Sequence, residues 1–128
     1  MKPITLLNTA IFPALKELQD QHGIEYSAHA ARFLLAIALQ ESNLSARRQR
    51  VASGAEAGPA ASFWQFEQGG AATGVLTHHA VAGKMKVICD AYNVLPTPAG
   101  LWEAIRYQDI VAACACLLYT SDAADDSL

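Results

Sequence analysis

From Ser27 to Ser42 the chain allows little other than a helix. Phe33, Leu34, Ile37 and Ala38 recur at three- and four-residue intervals, the spacing that lines side chains along one face of an α-helix. Ser27 reads as an N-cap, with the helix starting near Ala28. Glu41 lies four residues after Ile37 and eight after Phe33, so the same periodicity carries the apolar stripe into a carboxylate, away from the solvated side that holds Arg32. On this reading Glu41 is partly desolvated. A carboxyl group removed from water with no cation beside it keeps its proton near neutral pH and is fit to act as a general acid. The competing reading makes Glu41 an ordinary helix-end residue, bonded to a neighbouring backbone group or to one of Arg47, Arg48 and Arg50.

The rest of the chain repeats the helical theme. Leu7, Ile11, Leu15 and Leu18 predict a first helix over Ile4 to Gln21, with Pro13 either bending it or marking its true start, and His22-Gly23 ending it. A later helix is predicted from about His79 to Tyr92. Thr97-Pro98 is a helix-start signal, with Thr97 as cap and Pro98 in the first turn. Trp102, Ile105, Asp109, Ile110, Ala113, Cys116 and Leu117 trace the last helical stretch, whose apolar side should close the core. At 128 residues, 52% hydrophobic and 16% charged, the chain can bury one sizeable, alanine-rich core. The expected architecture is a mostly α single domain over residues 1–117 with a short irregular or extended segment between helices, and a monomer.

That segment follows Glu41. Gly54, Gly58 and Pro59 punctuate a small, flexible stretch, and Phe63 to Glu67 reads as extended. If so, Phe63, Gln65 and Glu67 point to one side and Trp64 and Phe66 to the other. Gln65 can hold a sugar hydroxyl, an acetamido group or a water, and the aromatic rings offer flat faces for pyranoses; alternatively the rings are core and Gln65 caps a turn. An acid facing such a segment suits cleavage of a glycosidic bond. Glycosidases usually pair two carboxylates, and Glu67 is the best second candidate, ahead of Glu56 and Asp90.

Other constellations carry less. His78-His79 is an adjacent pair whose side chains should diverge, and His22 and His29 stand alone, so neither a metal site nor a cofactor is expected; His78 remains a candidate substrate contact. Cys89, Cys114 and Cys116 sit in apolar helical contexts and read as buried thiols. The net charge of −3 gives no general attraction to nucleic acid. The cluster Arg47-Arg48-Gln49-Arg50 is either a solvated loop or a site for anionic groups. No apolar stretch is long enough to span a bilayer, and Lys2 followed by Ile4 to Leu7 is too short for an export signal.

Gln40-Glu41-Ser42-Asn43-Leu44, a Gly/Ala loop and Phe63-Trp64-Gln65 resemble the glutamate-serine and glycine-leucine-methionine-glutamine motifs of the lytic transglycosylase and goose-type lysozyme superfamily. Leu39 to Ser42, Arg47-Arg48-Gln49, Gly58-Pro59-Ala60, Phe63 to Gly70 and Gly74 to His78 are similar to small lysozyme-like proteins of tailed phages and prophages. The similarity covers most of residues 1 to about 117, and its specific part is 38–79. It implies a lysozyme-like helical fold, peptidoglycan glycan strands as substrate, Glu41 as the catalytic acid, and Ser42, Phe63, Trp64, Gln65, Glu67, His78 and Tyr92 around the substrate. Tyr92-Asn93 is similar to the family's later tyrosine-asparagine motif, although Val94-Leu95-Pro96 follows in place of a small residue and glycine. Ala61-Ser62 stands where the phage group carries arginine and glycine, and Ser62-Phe63-Trp64 replaces Gly-Leu-Met. The alternative is an inactive phage structural or assembly protein that keeps the fold and meets virion proteins.

If active on peptidoglycan, such a protein is made in the host cytoplasm and reaches the wall through a phage particle, a holin pore or host lysis. Leu117 to Asp126 resembles the translation of a sequencing-adapter read-through at the end of a metagenomic gene. The turn to Asp122, Asp125 and Asp126 without basic partners agrees with that, so residues 118–128 are set apart as a non-native tail.

Overall fold

The structure, a computed structural model, describes residues 1–126, with side chains through Ser121. The chain is mostly helical with one small sheet. Its N-terminal rod is continuous through Pro13, which stands in the first turn of the longer α-helical part. Helix α1 (Pro3–Leu6) passes into a π-helical turn, Leu7–Ile11, and then into α2 (Phe12–His22). Pro13 offers no N–H to the carbonyl of Thr9 and would crowd it in a regular helix. Widening the turn, with the Phe12 N–H reaching the Leu7 carbonyl, accommodates the ring. The extra residue also sets which side chains face inward: Leu6, Ala10, Ile11, Ala14, Leu15 and Leu18 are buried, while Leu7 is only half-buried. Gly23, at φ 66°, ends α2 in the left-handed conformation, and the Ile24 N–H closes back on the Leu18 carbonyl.

Helix α3 (Ala28–Ser42) starts where the sequence predicts, with Ser27 Oγ accepting the Ala30 N–H at 3.0 Å. Its exit is sharper. Asn43 and Leu44 both adopt positive φ, 50° and 55°, a costly conformation for a leucine. The Ser42 hydroxyl compensates by donating to the Ala38 carbonyl at 2.9 Å and accepting the Leu44 N–H at 3.2 Å. The chain then enters an antiparallel sheet, β1 (Arg48–Arg50), β2 (Glu56–Ala61) and β3 (Phe66–Glu67), in sequence order. Ala60 pairs with Glu67 and Ala61 with Phe66, so Ser62 to Gln65 form the connecting turn. The expected extended run over Phe63 to Glu67 is therefore a turn and a short strand. Ser62 and Gln65 take φ 71° and 56°. The turn closes through the Gln65 N–H on the Ser62 carbonyl and the Trp64 N–H on Ser62 Oγ.

A second π-helical turn, Gln68–Ala72, leads into α4 (Thr73–Thr77), followed by α5 (Ala82–Ala91), α6 (Pro98–Ile105) and α7 (Asp109–Asp126). The predicted helix from His79 starts later, at Ala82, after a turn. Thr97 caps α6 through the Gly100 N–H at 3.1 Å, with Pro98 in the first turn as predicted. Helix α7 departs most from expectation. It is buried on every side from Val111 to Leu118, not on one apolar face, and packs against α2 to α6. Alanine and cysteine dominate this stretch because their small side chains let several helices approach one axis. Residues 118–126 continue α7 without a break. Leu118 is 2% exposed and the Tyr119 ring meets Phe66 edge-on at 6.2 Å; Ser127 and Leu128 of the proposed tail lie outside the described residues. Among the described residues no helix is long and apolar enough to cross a membrane.

Candidate active site

Glu41 stands in the last turn of α3 and borders two adjoining clefts. One, of about 340 Å³, lies toward β1 and is lined by Ser42, Arg48, Gln49, Arg50 and Gln65 among others. The second, of about 450 Å³, is bounded by Gln49, Ala60, Gln65, Glu67, Gly70 and Ala71. Glu41, Gln49 and Gln65 belong to both. The carboxylate is thus seated where the helix end meets the sheet.

It is not desolvated in the way the sequence suggests. Glu41 is exposed. The row it continues, Phe33 and Ile37, is not the buried row of α3: Phe33 is 39% exposed and Ile37 half-buried, while Ala31, Leu34 and Ala38 face the core. Three- and four-residue spacing fits both rows, and packing against the π-helical turn, α2 and α7 selects the second. Nor is Glu41 clamped by the arginines. Among the described residues no hydrogen bond or ion pair engages its carboxylate; the ion pairs are Lys16–Asp20 and Arg47–Asp109. Its charge is felt inward at Cys116, whose thiol is pushed up to about 12, first by burial and then by Glu41.

Gln65, in the turn after β2, borders both clefts with Glu41. Its Nε2 donates to the Ser62 carbonyl at 2.9 Å, so the amide both braces the turn and keeps Oε1 available to a hydroxyl or a water. Glu67, on β3, is exposed and shares the larger cleft with Glu41. Gln49, named in the sequence only as part of the basic cluster, borders both clefts. Its Oε1 accepts the Ala60 N–H at 3.3 Å, and its side chain lies over Gly58, where a Cβ would come within 2.8 Å of the Gln49 Cβ. The triplets Arg47-Arg48-Gln49 and Gly58-Pro59-Ala60 were visible in the sequence; that they touch is a matter of strand register.

The aromatic residues do not line the groove. Trp64 is 3% and Phe63 4% exposed. The Trp64 Nε1–H donates to the Leu34 carbonyl at 2.9 Å, and the Phe63 ring lies under the Arg47 guanidinium at 4.5 Å. Tight turning at Ser62 and Gln65 places both rings against the core, so they support the cleft instead of stacking on a sugar. Ser42 borders the smaller cleft, but its hydroxyl is engaged in the helix exit. Tyr92 borders a separate cleft of about 330 Å³ with Thr9, Tyr107 and Asp109; burial raises its pKa. His78 borders neither cleft at Glu41. It ends α4, its Nδ1 accepts the Ala80 N–H, and its ring stacks on His79 at 4.6 Å, where divergence was expected. Glu56 is turned away, accepting the Arg47 N–H, and Asp90 borders neither cleft.

The basic cluster is a strand and its approach, not a solvated loop. Arg47 pairs with Asp109 and donates to the Arg106 carbonyl, tying the sheet to α7. Arg48 donates to the Gly58 and Ala57 carbonyls and covers the Trp102 ring at 5.0 Å; Trp102 in turn donates to the Pro59 carbonyl at 2.9 Å. Arg50 donates to the Gly54 and Ser45 carbonyls. Among the described residues no three His, Cys, Asp or Glu side chains gather to hold a metal, and the three cysteines are free and buried. In comparisons with known proteins, no family model, no curated protein and no solved structure matches the chain.

Proposed function

We propose that the protein cleaves peptidoglycan glycan strands, as a lytic transglycosylase or muramidase of lysozyme-like fold encoded by a phage or prophage, with Glu41 as general acid. The observation that carries this reading is the larger cleft, where Glu41 and Glu67 flank the amides of Gln49 and Gln65. A glycosidic oxygen over Glu41 receives its proton as the C–O bond breaks; the resulting carboxylate then takes a proton from water or from the sugar's own 6-hydroxyl. Glu67 either orients the water or steadies positive charge at the anomeric carbon. Since α3 leaves Glu41 exposed, a saccharide filling the cleft must itself exclude water from the carboxyl.

The test is clearance of a cell-wall suspension. Glu41→Gln should keep the fold, because among the described residues no bond to this carboxylate supports it, and should lower clearance at least about 100-fold with an unchanged melting temperature. Equal clearance by the substituted protein removes Glu41 from the reaction. Mass spectra of the fragments separate anhydro ends from reducing ends, and so the two reactions.

A second reading, a catalytically inactive assembly protein of the virion, is favoured by two observations: the acid is exposed, and no aromatic ring faces the groove. Release of no fragments from purified peptidoglycan supports it.

A further inference from the structure

The two clefts beside Glu41 differ in charge. Among the described residues the smaller holds Arg48 and Arg50 with Glu41 as its one acid, and the larger holds Glu41 and Glu67 with no cation. Arg47 is neutralised by Asp109, but among the described residues Arg48 and Arg50 meet carbonyl oxygens and no carboxylate. Each guanidinium commits two N–H groups to those carbonyls, which fixes its place. Arg48 also lies over the Trp102 ring, so the remainder of the Arg50 fork, with the positive charge of both, is what stays available to an anion. A carbonyl positions a guanidinium without cancelling its charge.

We propose that this asymmetry gives the substrate a direction: the Arg48–Arg50 cleft takes a carboxylate-bearing substituent of the glycan, and the Glu67 cleft takes a neutral saccharide. The inference rests on the glycan-cleaving reading above and adds to it which end of the strand lies on which side of Glu41. A carboxylate placed in the Glu67 cleft would face the like charge of Glu67 without a cation, whereas in the other cleft it meets the Arg50 guanidinium, held at Ser45 on the cleft wall, with Arg48 behind it. A strand whose sugars alternate between substituted and unsubstituted then has one productive register.

The experiment uses the full chain carrying Glu41→Gln, so that no turnover occurs, and isothermal titration with two peptidoglycan-type tetrasaccharides that differ only in a substituent carboxylate or carboxamide. At low salt the carboxylate form is expected to bind about fivefold tighter. Raising sodium chloride from about 0.05 M to about 0.5 M should close the gap, as should Arg50→Gln. If Arg50→Gln fails to fold, the salt titration of the arginine-bearing protein decides alone. Equal affinity for both ligands at low salt overturns the proposed direction and leaves the glycan reading standing. Binding of neither ligand overturns both.

Discussion

Gly58 carries no side chain where Gln49 already fills the space. A Cβ there would stand 2.8 Å from the Gln49 Cβ and 2.9 Å from its Oε1, closer than carbon atoms approach without one of them moving. Gly58→Ala should therefore push Gln49 off the Ala60 N–H and cost about 1–3 kcal/mol, read as a lower urea midpoint, together with weaker wall clearance. Unaltered stability would mean that Gln49 has somewhere else to go. This pair also marks the limit of residue-level reading. Glu41, Gln65 and Glu67 were legible because acid and amide side chains declare their chemistry and the structure does bring them around one cleft. The burial of Trp64 follows the core alternative, whereas the exposure of Glu41 and the burial of Phe63 depart from the expectation, because they depend on which of two helical rows faces inward and on positive φ at Ser62 and Gln65. Serine and glutamine do not announce that conformation as glycine would.

At the scale of elements, helix starts were the most legible features, since Ser27 and Thr97 satisfy orphan N–H groups with side chains named in the sequence. The π-helical turn was foreshadowed only by Pro13, which signals a disturbance but not its form. The burial of α7 on all sides was hidden by alanine, which is neutral as to face. The same burial has a measurable effect. Its thiols resist ionisation, Cys114 and Cys116 being pushed up to about 12 and, on α5, Cys89 up to about 11, in each case mainly by removal from water. Unfolded thiols ionise near the ordinary value of 9.0, so the unfolded chain loses protons first. The stability held in these groups is complete below about pH 9 and is lost as pH rises toward 11 and 12. Urea midpoints should fall between pH 8 and pH 10.5, and Cys114→Ala should flatten that fall. A midpoint that is level over this range with all three thiols present would show that their ionisation is not linked to unfolding.

For the whole molecule, the sheet that carries half of the cleft is bound to the helical body through few polar ties, of which Arg47–Asp109 is central. Both partners are partly shielded, and Arg47 also covers Phe63. Asp109→Ala leaves the guanidinium on the Arg106 carbonyl alone and should cost about 2 kcal/mol. Hydrogen exchange should quicken at Arg48–Arg50 and Glu56–Ala61 before it quickens in α2 or α3. Uniform loss of protection would mean that sheet and helices open as one unit. The overall class, helical with one irregular insertion, was readable from periodicity and caps, whereas the docking of the sheet was not, since a salt bridge across 62 residues leaves no local pattern.

The all-round burial of Val111 to Leu118 also governs the order of assembly. During synthesis α2 to α6 leave the ribosome before the rod that they enclose, with their greasy sides bare and nothing to close upon. A chain stopped short of Val111 should gather into aggregates or be taken up by chaperones, and the cleft should come into being only once that rod has emerged.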